Sequence, residues 1–402
     1  MKETVKPILK SDLNNSRGSM LQEKVAYITT SDPNDKHSWS GTNHYIWKNL
    51  QSQFSQIDVL GPAEPKFTVF ICKVIHAFSL MLGKRFDYRH STMYAKACAN
   101  LFAKKLEGKN YDLIISPAGV AYVAYLKTKT PKVLVLDRTI AGTINYHTIF
   151  TKLWKFSEQQ SINTDKVAMH NCELTIFSSQ WAADIAIKEY KLPKEKTLVV
   201  PFGANMDVLP SADFVFRNKS SLSEKKCNLL LIGVYWENKG VDIAVNAVKE
   251  LVMLGVDAKL TVCGCEAPVG FKNERVTIIP FLNKNTAEGL KKLEELFLSH
   301  TFFILPTRFD CTPIVYCEAS AYALPILSSN TGGVAGHITE GKNGFLIGYN
   351  DSGKGYASKI AEVLNEKGCY EMLIKTTRDE YDQHLNWKSW TESFVKAISK
   401  LP

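Results

Sequence analysis

The feature that most constrains the fold is an alternation of short apolar runs and a helical pattern in the last third of the chain. Phe302–Leu305 and Ile326–Ser328 are apolar runs that suit buried parallel strands. Ile314–Leu324 lies between them and has a helical pattern, with Pro313 where proline best opens a helix and Pro325 at its end. This order of strand, helix and strand predicts an α/β fold on a parallel sheet.

Two carboxylates and a glycine pair fall at one edge of this predicted sheet. Asp310 lies in the loop after the first strand, Glu318 on the first turns of the helix, and Gly332-Gly333 in the turn after the second strand, where another helix is expected. Ligands of open parallel sheets bind at that edge. A carboxylate can accept two hydrogen bonds from the vicinal hydroxyls of a ribose, and glycines let the backbone approach a phosphate. Taken singly, the carboxylate on the helix also fits an ordinary charge near a helix N-terminus, and the glycines also fit an ordinary turn.

A second junction of strand and helix precedes this region. Within Leu229–Ala247, a continuous apolar strand runs into Gly233, and a short loop ends at Lys239-Gly240, where a helix begins. An ammonium group near a helix start is well placed to stabilise a diphosphate leaving group as negative charge builds on it. A lone lysine-glycine pair is usually a solvated turn. This pair indicates a phosphate site only because it follows the first strand of a second α/β half.

Together these motifs resemble the family-4 retaining glycosyltransferases, which have the glycosyltransferase B fold, over roughly Val25 to the C-terminus. The resemblance implies an α/β protein of two Rossmann-like domains facing a central cleft. The family's acidic pair falls on Asp310 and Glu318, with Glu318 matching the residue that binds the nucleotide ribose. Its donor-phosphate motif falls on Gly233 and Lys239-Gly240, and its paired glycine near the donor diphosphate falls on Gly332-Gly333.

The chain departs from the family pattern at three places. Asp310 replaces a glutamate, so its carboxylate is one methylene shorter. Val234 replaces the phosphate-binding arginine and removes one charge-assisted contact, and Cys311-Thr312-Pro313 replaces a glycine-rich run. Our hypothesis is that Arg308 or Arg138 supplies the missing charge.

The N-terminal half is expected to supply the acceptor side. Lys24–Thr30 reads as its first strand and Asn43–Phe54 as the following helix, with Gly41 between them matching the family's first glycine loop. The strand Lys132–Leu136 ends in Asp137, at the place where the family often has a histidine that contacts the donor sugar. A plain turn and a helix cap are the alternatives for these two residues. The implied site comprises catalytic Asp310, Lys239 and Asp137, with donor contacts from Glu318, Gly332, Gly333, Gly41, Arg308, Thr312 and Gly233.

The resemblance also implies the chemistry. A hexose-type sugar would pass from a nucleotide diphosphate sugar to a hydroxyl acceptor with retention of the anomeric configuration, and the leaving diphosphate would deprotonate the incoming hydroxyl. Lys239, the Gly332-Gly333 amides and an arginine would stabilise the diphosphate, while Glu318 anchors the ribose and Asp310 orients the sugar or polarises its anomeric centre. No cofactor and no metal are expected.

Length and composition fit two domains, because 402 residues with 45% hydrophobic content can form two cores. Pro201–Ser223 interrupts the apolar rhythm and is the expected crossing between them. The predicted organisation is a flexible tail over residues 1–20, an acceptor-binding domain over 21–205, a donor-binding domain over 206–385 and a helix over 386–402 that packs back on the first domain.

Charge and cysteine content bear on partners and location. The net charge of +9 favours anionic partners such as nucleotide sugars, phospholipid surfaces or lipid-linked acceptors. Nucleic acid is not expected, because the basic residues are scattered and no aromatic-basic module is visible. Nine cysteines without a CxxC pair fit reduced thiols in a cytoplasmic protein. Phe67–Phe86 is nearly all apolar and is predicted to be a buried helix; a membrane-surface helix is the alternative, which leaves peripheral contact with the inner membrane face open.

Two other classes of function stay open on the sequence. A nucleotide-sugar epimerase or a phosphorylase shares the two-domain architecture and would act without a hydroxyl acceptor or with inorganic phosphate. A non-catalytic nucleotide-binding scaffold is the second alternative, and Val234 and Asp310 are the features that favour it. A polysaccharide or glycolipid acceptor is expected only because members of the resembled family commonly use such acceptors.

Overall fold

The computed structural model describes residues 21–219 and 226–401. The predicted tail, residues 1–20, and the last part of the predicted crossing, residues 220–223, lie outside the described residues. The strands are β1 (Leu21–Tyr27), β2 (Phe54–Val59), β3 (Leu113–Pro117), β4 (Lys132–Leu136), β5 (Leu174–Phe177), β6 (Thr197–Val199), β7 (Lys226–Ile232), β8 (Asp257–Cys263), β9 (Val276–Ile279), β10 (Phe302–Leu305), β11 (Ile326–Ser329) and β12 (Gly344–Ile347). The α-helices are α1 (Thr42–Leu50), α2 (Lys66–Met81), α3 (Thr92–Leu106), α4 (Val120–Val123), α5 (Ile140–Thr143), α6 (Lys155–Asn171), α7 (Gln180–Tyr190), α8 (Ala212–Lys219), α9 (Val241–Met253), α10 (Ala287–Ser299), α11 (Ile314–Ala321), α12 (Lys354–Asn365), α13 (Cys369–Gln383) and α14 (Trp387–Ile398).

The strands form two parallel six-stranded sheets, in the orders β2-β1-β3-β4-β5-β6 and β12-β11-β10-β7-β8-β9. The predicted α/β class is therefore confirmed. Each order reverses once, between β1 and β3 in the first sheet and between β7 and β10 in the second. Such reversals open a crevice outside the carboxyl ends of the strands, where ligands bind.

The central strands are apolar throughout because helices cover both faces of each sheet. All four side chains of β10, Phe302 to Leu305, are fully buried, and so are Leu229, Leu230 and Leu231 of β7. These strands and the helices α9, α11 and α12 enclose the core of the second domain. The rigid sheet fixes where each of its strands ends, and so it fixes the loops that reach the cleft.

The last helix, α14, packs against the first domain. Trp390 and Phe394 are fully buried in a cluster with strand residues of the first sheet, and the Trp387 ring stacks on Tyr45 of α1 with 6.3 Å between ring centroids. Asn386 caps the helix by accepting a hydrogen bond from the Ser389 amide at 2.9 Å. The chain therefore crosses between the domains twice, once after β6 and once before α14.

The apolar stretch Phe67–Phe86 does not form the predicted buried helix. Its helix, α2, buries only one face, which includes Val69, Cys72 and Ser79, whereas Phe67 and Phe78 are more than 60% exposed. The prediction was wrong because apolar residues occupy both faces of this helix and the domain covers only one of them. Among the described residues, no helix combines the length and apolarity needed to cross a bilayer.

Candidate active site

Two adjoining cavities, of about 400 and 200 Å³, lie where the carboxyl ends of the two sheets face each other. The larger is lined mainly by loops after β7, β8, β9 and β10, with Lys36 and Ser40 from the first domain. The smaller is lined by Asp137 and Arg138 after β4 and by the loop before α1. Both cavities share Asp310 and Ser40, so the predicted sites of the two domains form one cleft.

Lys239 and Asp310 form an ion pair in this cleft. The Lys239 Nζ donates to Asp310 Oδ2 at 2.6 Å, and both side chains are at most one-fifth exposed. A Cβ on Gly233 would stand 2.6 Å from Lys239 Cγ, so glycine at the end of β7 leaves the space in which the lysine side chain lies. The Thr312 amide donates to the other carboxylate oxygen of Asp310 at 3.2 Å. The structure thus brings together four of the predicted residues.

Glu318 forms the second carboxylate-lysine pair of the larger cavity. The Lys284 Nζ, in the loop after β9, donates to Glu318 Oε1 at 2.7 Å, and Glu318 is 7% exposed. Its place on α11 fixes the backbone, as the sequence predicts. Both carboxylates that line the larger cavity therefore have a lysine as their partner, and an incoming polyhydroxyl and diphosphate ligand could exchange with both pairs.

Asp137 lies at the end of β4 and faces the smaller cavity. Its Oδ2 accepts a hydrogen bond from the Trp39 indole N–H at 2.9 Å. Burial raises the pKa of Asp137, although the positive charge of Arg138 and the Trp39 hydrogen bond oppose that rise. A carboxyl with a raised pKa in a cleft is a candidate for proton transfer or for hydrogen bonding to a sugar.

The loop that carries Trp39 is strained. Trp39, Ser40 and Gly41 have φ values of 50°, 55° and 87°, a left-handed conformation that costs energy for the two non-glycine residues. The buried Asn205 side chain holds this loop by donating to the Ser40 carbonyl at 2.9 Å. Gly41 therefore lies in a tight turn at the start of α1, and Ser40 rather than Gly41 lines the cavities.

Neither of the paired glycines, Gly332 and Gly333, lines the two cavities. The Gly333 amide donates to the Asp310 carbonyl at 3.1 Å. The helix predicted after them is a single 3-10 turn, Val334–Gly336, so it offers no row of free amides. The role predicted for the two glycines at the donor phosphate stays a prediction. A Cβ on Gly333 would stand 1.9 Å from the Cys311 carbonyl oxygen, so glycine is needed at this position for contact between two loops.

The guanidinium of Arg308 is paired outside the two cavities, and its predicted contact with the donor stays a prediction. It binds both carboxylate oxygens of Asp242, at 2.9 and 2.7 Å, and lines neither cavity. Arg138 lines the smaller cavity, with its guanidinium 4.8 Å from the centroid of the Phe150 ring. Of the two arginines proposed to replace the missing one, only Arg138 faces the cleft.

The loops of the two domains contact each other beside Asp310. The Tyr146 hydroxyl lies 2.8 Å from Thr331 Oγ1 and accepts from the Asp310 amide at 3.3 Å. The Thr312 hydroxyl, a predicted donor contact, is hydrogen-bonded to Ser178 of the first domain. The position of Asp310 therefore depends on how the domains meet.

Four residues of the site escaped the sequence analysis: Lys36, Trp39, Tyr146 and Lys284. Lys284 follows β9, the third strand of the second half, so its place at the carboxyl edge was a usable signal. Lys36 also follows the first strand. Tyr146 carries no such signal, because it reaches the site only through the contact between the domains.

Replacing Asp137 with asparagine is expected to stabilise the protein at neutral pH and to lower its activity at least about tenfold. A raised pKa means that the folded protein holds this proton more tightly than the unfolded chain, so stability falls as pH rises through the window between the two pKa values. Asparagine does not titrate, so the variant does not lose stability in this pH window. Its melting temperature should exceed that of the wild type at pH 7 and match it at acid pH. Equal melting curves at both pH values would contradict the prediction.

Two parallel Rossmann-like sheets facing one cleft define the glycosyltransferase B class of fold. Residues 226–366, most of the second domain, match the family described as "Glycosyl transferases group 1". The predicted resemblance to a glycosyltransferase is thereby confirmed at the level of this group, and the narrower family 4 stays a prediction.

Similar proteins support the same class. Spore coat protein SA of Bacillus subtilis is 30% identical over 129 residues, 32% of this chain and 33% of that protein. Lipopolysaccharide glucosyltransferase WaaG of Escherichia coli is 25% identical over 181 residues, 44% of this chain and 48% of that protein. The matches to curated relatives span 30% to 64% of those proteins' own lengths.

Solved structures extend the likeness to both domains. A crystal structure of WaaG, described as a glycosyltransferase involved in lipopolysaccharide biosynthesis, has a TM-score of 0.59 at 14% identity and covers 94% of this chain and 99% of that one. Anabaena HepE in complex with UDP has a TM-score of 0.62 at 14% identity and covers 94% of this chain and all of the other. The predicted glycosyltransferase B fold is confirmed.

Proposed function

We propose that this protein is a retaining glycosyltransferase that moves a hexose-type sugar from a nucleotide diphosphate sugar to a hydroxyl acceptor in polysaccharide or glycolipid assembly. The observation that carries the proposal is the pairing of Lys239 with Asp310 and of Lys284 with Glu318 in one cavity between the domains. Two carboxylates suit sugar hydroxyls and two ammonium groups suit a diphosphate. The names of the group and of the relatives point to the same class.

In this proposal the donor binds chiefly to the second domain. Its ribose hydroxyls donate to Glu318, and its diphosphate accepts from Lys239, which leaves Asp310 free to orient the sugar. Lys284 and Arg138 stand nearby as further cations in place of the arginine that Val234 replaces. Negative charge on the leaving diphosphate is larger in the transition state than in the bound donor, so these cations accelerate the reaction most where they contact the departing oxygen.

Retention follows in this proposal from attack on the face that the diphosphate leaves. The diphosphate takes the proton of the acceptor hydroxyl, and the protein supplies positioning and charge stabilisation. The acceptor enters from the smaller cavity, where Asp137 and His147 are available as hydrogen-bonding groups. The proposal includes no metal and no cofactor, and it places the protein in the cytoplasm, where its nine unpaired cysteines would stay reduced.

A nucleotide panel tests the donor site. UDP is the first candidate because the similar HepE structure contains it, and GDP, ADP and their common sugars complete the panel. A ligand at about a hundred times its dissociation constant adds roughly 2.7 kcal/mol to stability, which gives a clear melting shift. In Glu318→Gln, affinity for that nucleotide is expected to fall about 10- to 100-fold, because a hydrogen bond to a charged group contributes about 1.5–3 kcal/mol.

A matched control distinguishes the loss of a contact in the cleft from the loss of a negative charge elsewhere on the protein. Glu288→Gln breaks an exposed pair with Lys292 at the same 2.7 Å distance, and its melting shift with nucleotide should equal that of the wild type. No shift with any nucleotide would contradict the proposal, whereas a shift without product formation would favour the nucleotide-binding scaffold. Product formation from the bound sugar nucleotide, with and without acceptor, inorganic phosphate and EDTA, then separates a transferase from an epimerase or a phosphorylase and tests the absence of a metal requirement.

A further inference from the structure

An apolar stripe runs along the exposed face of α2. Phe67, Phe70, Val74, Phe78 and Met81 are each more than half exposed. Their spacing of three and four residues places them on one side of the helix. Scattered apolar residues are normal on a protein surface, but a continuous stripe that includes three phenylalanines marks an interaction site.

Basic residues border this stripe, and Glu64, the exposed carboxylate two residues before α2, is paired with Arg89 at 3.7 Å. Lys66 and Lys73 lie on α2, and Lys84 and Arg85 follow its end. Residues 66–86 contain no aspartate or glutamate. An exposed apolar stripe beside a purely basic border is the pattern of a helix that lies on an anionic lipid surface.

A neighbouring loop, residues 148–156, extends the same surface. Ile149 and Phe156 are more than half exposed, and Lys152 and Lys155 are exposed beside them. The Arg85 amide donates to the Lys152 carbonyl at 2.9 Å, which fixes this loop against the end of α2. We call residues 66–86, which comprise α2 and the segment after it, and residues 148–156 together the α2 surface.

We propose that the α2 surface binds the anionic face of a phospholipid bilayer. With 16 residues, α2 is roughly 24 Å long, shorter than a hydrocarbon core of about 30 Å, so it would lie in the interface with its stripe inserted between headgroups. Six basic residues and no acidic one in this surface select a negatively charged partner. A second copy of the chain would bring like charges together and is disfavoured for that reason.

The α2 surface is connected to the cleft. Phe150, within the same loop, is buried beneath the Arg138 guanidinium, and its ring centroid lies 6.1 Å from that of His147. Arg138 and His147 line the smaller cavity. A bilayer on the α2 surface would therefore lie beside the acceptor side of the cleft and could present a lipid-linked hydroxyl to it. This choice of acceptor rests on the proposed function, whereas membrane binding does not.

Co-sedimentation with phosphatidylcholine vesicles, with and without phosphatidylglycerol, tests the proposal. The wild type should bind the anionic vesicles, and high salt should weaken the binding. In Phe70→Ser/Phe78→Ser the partition coefficient should fall at least about tenfold, since both inserted rings are lost. In Lys73→Glu/Lys84→Glu binding to anionic vesicles should fall at least about tenfold.

The control Val269→Ser/Met372→Ser removes two exposed apolar residues of the second domain and should bind vesicles like the wild type. The substituted positions of all three variants are exposed, so their melting temperatures without ligand should equal that of the wild type. The nucleotide-induced melting shift should also persist in both α2 variants, whether or not they bind vesicles. Absence of wild-type binding to anionic vesicles overturns the proposal. A second result would also overturn it: the wild type self-associates in sedimentation equilibrium, Phe70→Ser/Phe78→Ser abolishes this self-association, and no vesicles are bound. The α2 surface would then be a dimer interface.

Discussion

Replacing Lys239 with methionine is expected to lower kcat/KM about 10³-fold, because one preorganised donor aimed at developing charge contributes 10²–10³ in rate and the methionine also leaves Asp310 without its partner. The lysine is held at the end of β7 with its ammonium group in the cleft, and Gly233 leaves room for its side chain. If the ammonium acts on the leaving diphosphate, kcat and kcat/KM should fall together while KM changes little. Steady-state kinetics with the sugar nucleotide identified by the melting panel measures this.

Three companion variants assign the cause of the loss. Lys249→Met, on the exposed side of α9, the helix that follows Lys239, removes a lysine outside the cleft and should keep wild-type rates. Lys239→Arg should recover part of the activity, because it restores the charge with different geometry. The double variant Lys239→Met/Asp310→Asn removes both charges; if the lysine only balanced Asp310, the double variant would regain activity. A Lys239→Met enzyme within threefold of the wild type would show that another cation stabilises the diphosphate.

The strands that sequence reasoning predicted best are continuous apolar runs with sharp ends. Phe302–Leu305 and Lys132–Leu136 have the predicted bounds, since Pro306 and Asp137 end the runs and both strands are fully buried. The first strand was predicted at Lys24–Thr30 but lies at Leu21–Tyr27, and the predicted helix Asn43–Phe54 ends at Leu50. Pairing with β2 decides both bounds, because Leu21 to Tyr27 pair with Phe54 to Val59 and residue 54 already belongs to that strand. Neither segment's own pattern shows this pairing.

For the site, the sequence predicted which residues reach the edge of the sheet but not which way their side chains point. Asp310 and Arg308 are two residues apart in one loop, yet Asp310 faces Lys239 in the cleft and Arg308 faces Asp242 outside it. Loop direction depends on contacts that are distant in sequence, such as that of Tyr146 with the Asp310 amide across 164 positions. The same holds for Lys284 and Glu318, which come together only because β9 and β10 belong to one sheet.

Gly333→Ala is expected to reduce kcat at least about 100-fold although it adds a single methyl group. The φ of Gly333 is −86°, which any residue adopts, so the effect is steric. The new Cβ would stand 1.9 Å from the Cys311 carbonyl oxygen and 2.9 Å from Ser179 Oγ of the first domain. The loop that contains Cys311 would have to move to relieve this clash. That loop carries Asp310, whose carbonyl accepts from the Gly333 amide, and a displacement of about 1 Å at a reacting group can cost 10²-fold.

The paired measurement is Gly348→Ala, at a glycine whose added Cβ would meet no atom within 4 Å, and this variant should have wild-type kcat and melting temperature. Gly333→Ala should lose about 1–3 kcal/mol of stability from overpacking. Nucleotide affinity should change less than kcat, because Glu318 is anchored by α11 rather than by the loop. Normal turnover in Gly333→Ala would mean that the loop yields without moving Asp310, and a loss of nucleotide affinity equal to the loss of kcat would mean that the glycine pair holds the donor itself. A selective loss of kcat therefore assigns the glycine pair to the placement of Asp310.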